Sequence, residues 1–245
     1  MPLILVSNDD GYFTPGITTL AKELKKLGEV VIVAPDQERS ASSHSLTIDR
    51  PLRVKKIEKN IYATNGTPTD CVMMAVNWVL SRKPDLIVSG INHGPNMADD
   101  VHYSGTVSAA MEGGLMGIPA IAVSLNARED FRFQLAAVAA RKVAQQVLKN
   151  GLPAGVILNL NVPNKKANGF AWTALGKRDY GKMLDEKIDP RGKKYYWLGG
   201  NLDGFKSVPG SDCDAVAKGK VSITPLRVNM TERNFDEHFS SWKLS

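Results

Sequence analysis

Short unbroken apolar runs alternate with amphipathic stretches over the first 160 or so residues. Leu3-Ile4-Leu5-Val6 reads as a strand buried on both faces. After Pro15-Gly16, the residues Ile17, Leu20, Leu24 and Leu27 recur at helical spacing. Val30 to Ala34 is a second strand, stopped by Pro35. The same logic predicts a helix over 69–80 with Pro68 near its start, a strand over 85–90, a helix rich in small residues over 104–116, a strand over 120–123, a helix over 131–148 and a strand over 156–160.

Strands and helices alternating at this spacing are βαβ units. The expected fold is therefore α/β and Rossmann-like, with a mainly parallel sheet covered by helices on both faces. Right-handed crossovers bring the strand C-termini to one edge, where such sheets bind ligands. From about Asn161 the pattern changes, so residues 1–162 are expected to form the core and 163–245 a β-rich extension. In the extension, Phe170-Ala171-Trp172 and Tyr195-Tyr196-Trp197 suggest a β-hairpin. Val221 to Thr224 is expected to return to the core as a strand, and the chain from Thr231 to form an oligomerisation tail. A lone hairpin is marginal, so its aromatics need a partner.

The composition, 43% hydrophobic and 23% charged over 245 residues, is that of a globular chain. No run approaches the roughly 18 apolar residues of a membrane span. Two cysteines cannot make a disulfide framework, and Met1 to Val6 lacks a basic leader, so a cytoplasmic setting is expected. A net charge of +6 suits anionic substrates and is too small and scattered to require nucleic acid.

The chemistry concentrates at strand ends. Ser7-Asn8-Asp9-Asp10-Gly11 follows the first strand directly. Adjacent carboxylates there repel each other, and a divalent cation relieves the conflict. The plain alternative is one Asp capping the next helix and the other solvated. In the loop after the second strand, Ser40, Ser42, Ser43 and Ser45 offer oxygen ligands or phosphate donors, with His44 among them. Asn92 and Asn96 flank Gly94-Pro95, so both amides can face one pocket. Ser104-Gly105-Thr106 opens a helix and forms an anion cradle, unless Ser104 or Thr106 is only a cap. All-oxygen ligation favours Mg²⁺ or Mn²⁺. Asn96, Ser104, Gly105 and Thr106 would hold a phosphate, and one of the two aspartates, with Asp9 favoured, would orient or deprotonate water.

Five blocks occur together: Asn8-Asp9-Asp10-Gly11; Ala34-Pro35-Asp36 followed by Glu38-Arg39-Ser40; Gly66-Thr67-Pro68-Thr69-Asp70-Cys71; Ser89-Gly90-Ile91-Asn92 followed by Gly94-Pro95-Asn96; and Ser104-Gly105-Thr106. In order and spacing they resemble the survival protein E (SurE) family, over the chain to about residue 225. The resemblance implies divalent-metal-dependent hydrolysis of nucleoside 5′- and 3′-monophosphates, with short polyphosphate as a further substrate of some members. It also implies metal ligands at Asp9, Asp10, Ser40 and Asn92, with one Mg²⁺ or Mn²⁺ per subunit. The implied assembly is a homodimer or homotetramer exchanging hairpin and tail.

His44 and His93 lie in the candidate loops, and either could protonate a leaving alkoxide, although loop histidines more often make ordinary surface contacts. Trp172, Tyr195 and Trp197 could stack on a base or pack at an interface, and Gly66 to Asp70 could line the nucleoside side or simply turn and cap a helix. Rival readings fit less well. An aspartyl-phosphate phosphatase wants a second aspartate two positions on, where this chain has Gly11. A dinucleotide module wants GxGxxG after the first strand, and an interaction protein leaves the oxygen-rich strand ends unexplained.

Overall fold

The first strand, β1 (Leu3–Ser7), alternates its side chains between two cores. Ile4 and Val6 face one, and Leu3 and Leu5 face the other. That double burial is why the run has no polar position. The computed structural model describes residues 1–200, 204–232, 234, 238 and 240–242. Following β1 come α1 (Pro15–Leu24), β2 (Glu29–Pro35), β3 (Val54–Glu58), β4 (Ile61–Thr64), α2 (Pro68–Met74), β5 (Leu86–His93), α3 (Gly105–Leu115), β6 (Ala120–Asn126), α4 (Phe133–Asn150) and β7 (Val156–Pro163). The chain continues through β8 (Phe170–Trp172), β9 (Lys177–Arg178), β10 (Leu184–Ile188), β11 (Lys194–Leu198), β12 (Phe205–Lys206), α5 (Asp212–Ala217) and β13 (Val221–Arg227).

Among the described residues the main sheet has nine strands in the order β3-β4-β2-β1-β5-β6-β7-β13-β8. The strands from β4 to β7 pair in parallel, while β3 and β13 are antiparallel to their neighbours β4 and β7. Helices α1 and α4 pack on one face, with Ile17, Leu20 and Leu24 of α1 wholly buried there. Each such side chain stabilises the fold by roughly 1.5–3 kcal/mol. Helices α2 and α3 cover the other face, where Cys71, Val72, Val107 and Ala110 join Leu5, Val33 and Ile87. The expected α/β, Rossmann-like sheet with helices on both faces is thus present.

Several details differ from the sequence reading. The predicted helix over 69–80 is α2 followed by a π-helical turn, Ala75–Val79. Strand β5 runs to His93 across a bulge between Gly90 and Asn92, so Asn92 and His93 sit on the strand itself. The hairpin forms between β10 and β11, whereas Phe170–Trp172 joins the main sheet parallel to β13. The β3–β4 hairpin and α5 are further elements that periodicity did not signal. The tail from Thr231 lies largely outside the described residues.

A charged cluster ties the two helices of the first face together. Glu23 on α1 is 5% exposed and accepts from Lys26 Nζ (2.7 Å), Gln134 Nε2 (2.9 Å) and Arg141 Nε (3.0 Å), the last two on α4. The bond from Lys26, then that from Gln134, holds its carboxyl down from 4.5 to about 2. Because the folded-state value lies below the unfolded one, this stabilisation is complete above about pH 4.5 and is lost as pH falls through about 2. Glu23→Gln is therefore expected to lower stability by on the order of 1–3 kcal/mol at pH 7. The difference from wild type should shrink steadily in urea unfolding at pH 4, 3 and 2.

Candidate active site

The chain leaving β1 is turned by the Asn8 amide. Asn8 Nδ2 donates to the Gly11 carbonyl (3.0 Å) and to the Thr14 hydroxyl (3.2 Å), and Oδ1 accepts from the Gly11 N–H (3.1 Å). Gly11 stands at φ +109°, a region that side-chain-bearing residues rarely enter. The locked turn holds Asp9 and Asp10, 4% and 9% exposed, at the C-terminal end of the strand. The Arg39 N–H donates to the Asp9 carbonyl at 2.7 Å, tying the loop after β2 over the same edge.

Each carboxylate has one protein partner that matters. Asp9 Oδ1 accepts a short hydrogen bond from the Thr106 hydroxyl at the start of α3, and that hydroxyl lies 3.3 Å from Asn92 Oδ1. Burial first, and the Asp10 charge second, push the Asp9 carboxyl up to about 6, against the bonds from Thr106. Asp10 Oδ1 is 2.8 Å from His93 Nδ1, and this bond holds the imidazole above its ordinary range. The His93 ring also meets Phe131 and Phe133 edge-on, at centroid distances of 5.0 and 4.9 Å.

Asn96 is held from the sheet side. Its N–H donates to Asn161 Oδ1 (2.8 Å), its carbonyl accepts from Asn159 Nδ2 and Asn161 Nδ2 (2.9 Å each), and its Nδ2 donates to Ser124 Oγ (2.8 Å). These supporting residues were not singled out from the sequence. Their signal was Asn159-Leu160-Asn161, polar residues on alternate positions of a strand that is buried from Ile157 onward. Ser104 does cap α3, accepting from the Val107 N–H at 3.1 Å. At Gly105 a Cβ would stand 2.9 Å from both Asp9 Cβ and Ser42 Oγ, so the helix start can approach Asp9 only as glycine.

These elements enclose a cleft of about 280 Å³ whose lining includes Asp9, Asp10, Glu38, Ser40, Asn92, His93, Asn96, Asp100, Tyr103 and Ser104. Thr106 lies beneath it, against Asp9. Ser40 is exposed, and its hydroxyl donates to Glu38 Oε1 at 2.7 Å. Ser43 and His44 are placed elsewhere: the Ser43 N–H donates to the Tyr103 carbonyl (3.3 Å), and His44 Nε2 lies 2.9 Å from Glu112 Oε2 on α3. Thr67 and Asp70 form a capping box at α2, so that block caps its helix as the plain alternative has it.

The donor set suits a hard cation. Asp10 Oδ2 and Ser42 Oγ are buried with no hydrogen-bond partner among the described residues, and burial, then the neighbouring Asp10 charge, raise the pKa of Asp9. No three His, Cys, Asp or Glu side chains converge among the described residues, so hydroxyl and amide oxygens would have to complete any coordination sphere.

Comparison with known proteins gives concordant matches. The family model described as "Survival protein SurE" matches residues 4–182. The chain is 49% identical to the 5′-nucleotidase SurE of Syntrophotalea carbinolica, over 99% of this chain and 98% of that protein. It is also 49% identical to the 5′-nucleotidase SurE of Geobacter sulfurreducens, over 99% and 94% respectively. The crystal structure of the SurE protein from Aquifex aeolicus superposes with a TM-score of 0.89 at 43% identity, covering 98% of each chain.

The Asp10–His93 pair can be tested without substrate. In chelator-treated protein, Asp10→Asn should return the His93 imidazole toward its ordinary value of 6.5, read by ¹H–¹⁵N titration of the ring. A His93 titration that the variant leaves unmoved would show that another group holds the proton.

Proposed function

Because the chain belongs to the SurE family of survival proteins, we propose that it is a phosphoric monoester hydrolase acting as a nucleotidase on nucleoside 5′-monophosphates. The observation that carries this reading is the meeting of Asp9 and Asp10 with the start of α3 at one strand edge, with Asn92 and Asn96 beside them. The names of the relatives in Syntrophotalea and Geobacter support the substrate class. Nucleoside 3′-monophosphates and short polyphosphate are included as further substrates, since the recognised element is the terminal phosphoryl group.

Asp9, Asp10, Ser40 and Asn92 would hold one divalent cation, Mg²⁺ or Mn²⁺. When bound, such an ion supplies charge neutralisation to the phosphoryl oxygens and acidifies an adjacent water. The protein's own contributions follow from the geometry. Asp9, fixed by the Thr106 hydroxyl, orients the attacking water and takes its proton. The start of α3 at Ser104, Gly105 and Thr106 presents backbone dipoles to the phosphate. Asn96, immobilised by Asn159, Asn161 and Ser124, fixes the side of the cleft against which the ester lies. Of the two loop histidines, His93 lines the cleft, while His44 lies 2.9 Å from Glu112; Ser43 and His44 would serve substrate binding from the loop after β2, not the proton transfer.

The reading extends to setting and assembly. The buried free thiols of Cys71 and Cys213 fit a reducing compartment, and we place the protein in the cytoplasm. No described helix is long and apolar enough to cross a membrane. The β10–β11 hairpin leaves Leu184, Ile188, Tyr195, Tyr196, Trp197 and Leu198 exposed, which supports a homodimer or homotetramer that covers them.

The function is tested by turnover of nucleoside 5′-monophosphates with Mg²⁺ or Mn²⁺, and again after chelation. Asp9→Asn should lower kcat by about 100-fold or more at saturating cation. Near-wild-type turnover in that variant, or full turnover after exhaustive chelation, would refute the assigned chemistry. For assembly, Tyr195→Ser combined with Trp197→Ser changes two exposed neighbours on one hairpin face. The double variant should sediment as a smaller species than wild type at equal concentration, and an unchanged mass would remove the hairpin from the interface.

A further inference from the structure

The segment from Asn96 to Ser104 carries two cleft residues at its ends and Asp100 at its middle, yet its only regular structure is the short 3₁₀ turn Ala98–His102. Such a segment has many alternative conformations unless something fixes it. The sheet fixes one end, through the bonds of Asn96 to Asn159, Asn161 and Ser124. The remainder is gripped from residues far along the chain.

Asp212, fully buried at the start of α5, accepts the Ala98 N–H at 2.9 Å through Oδ2. Its Oδ1 accepts from the N–H groups of Gly176 and Cys213, at 2.8 Å each. Ala98 stands at φ +52°, a conformation that an alanine adopts only when its surroundings hold it. Arg178 on β9 is 8% exposed. Its backbone N–H donates to Asp99 Oδ2 (2.9 Å), and its Nε lies 3.1 and 3.0 Å from the two Asp100 oxygens. The guanidinium lies between the Phe205 and Tyr180 rings, at 4.4 and 4.9 Å, and the Tyr180 hydroxyl donates to Asp100 Oδ1 at 3.0 Å.

We infer that Arg178 and Asp212, both in the C-terminal extension, are positioning residues for the catalytic loop: by holding Ala98, Asp99 and Asp100 they set Asn96 and Ser104 against the phosphate. The inference rests on the proposed reading of the cleft as the phosphate site. On this view the extension completes each active site as well as serving assembly. Arg178 acts through Asp100: its Nε reaches both carboxylate oxygens while the planar guanidinium lies over the Phe205 and Tyr180 rings, a combination that a lysine cannot reproduce. A loop released by about 1 Å would misalign the ester and the water, which costs on the order of 100-fold in rate while leaving much of the ground-state binding intact.

The test uses the full chain with a nucleoside 5′-monophosphate and Mn²⁺, and reads kcat, KM and amide hydrogen exchange over residues 97–104. Arg178→Ala should lower kcat by about 10- to 100-fold with KM nearly unchanged and should speed exchange in that segment. Arg178→Lys should restore part of the rate. Arg178→Ala combined with Asp100→Ala should be no worse than the more damaging single change, because the two residues act as a unit. If Arg178→Ala does not fold, Tyr180→Phe, which removes one hydroxyl and keeps the ring, should show a smaller loss of the same kind. Wild-type kcat and exchange in a folded Arg178→Ala, or strict additivity in the double variant, would overturn the inference. If wild type turned over no nucleotide, the reading of the cleft would fall, while exchange over 97–104 would still decide whether Arg178 holds the loop.

Discussion

The site is organised around one electrostatic problem, that of two neighbouring carboxylates pressed against the end of a buried strand. Asp9 shows the cost, since burial and its neighbour push its carboxyl up to about 6. The groups nearest the pair either ease that cost or hold the pair in place despite it. The Thr106 hydroxyl favours the ionised form of Asp9, His93 gives Asp10 a partner that can carry positive charge, and the Asn8 staple prevents the turn from relaxing outward. A bound divalent cation, as proposed above, would lower that cost further.

Rigidity reaches the site from two directions. From the sheet, Ser124, Asn159 and Asn161 place polar side chains at the C-terminal edge of β6 and β7 and spend them on Asn96. From the extension, Asp212 and Arg178 take hold of Ala98, Asp99 and Asp100. Buried polar groups are costly unless satisfied, so networks like these commit the chain to one arrangement of the loop.

Much of this was legible in the sequence because burial on both faces leaves a strong mark. The runs Leu3 to Val6, Val30 to Ala34 and Ala120 to Val123 have no polar break, and each is a central parallel strand. The rule that such sheets bind at their C-terminal edge then brought Asp9, Asp10, Asn92, Asn96 and Ser104 to one place. The β3 segment was harder to read: Val54-Lys55-Lys56-Ile57-Glu58 is a half-exposed edge strand with a bulge, so alternation is broken. Ser43 takes φ +51°, a local choice that residue type does not announce, and His44 lies beside Glu112. Asp212 and Arg178 were invisible for another reason, since their partners lie 114 and 78 residues away and no local spacing encodes such a contact.

The start of α3 gives the arrangement its chemical direction. A helix N-terminus attracts anions, and here the nearest anion is the protein's own Asp9, so close to Gly105 that no Cβ fits between them. On the proposed reading, a phosphate in the cleft would share that positive end with Asp9, whose carboxylate is held by Thr106. Sharing brings the acid and the phosphoryl group together without letting them exchange places, which is what in-line attack by an oriented water requires. On the proposed reading, the cleft of about 280 Å³ would take in the phosphoester end of a nucleotide, with Tyr103, 61% exposed, on its lining.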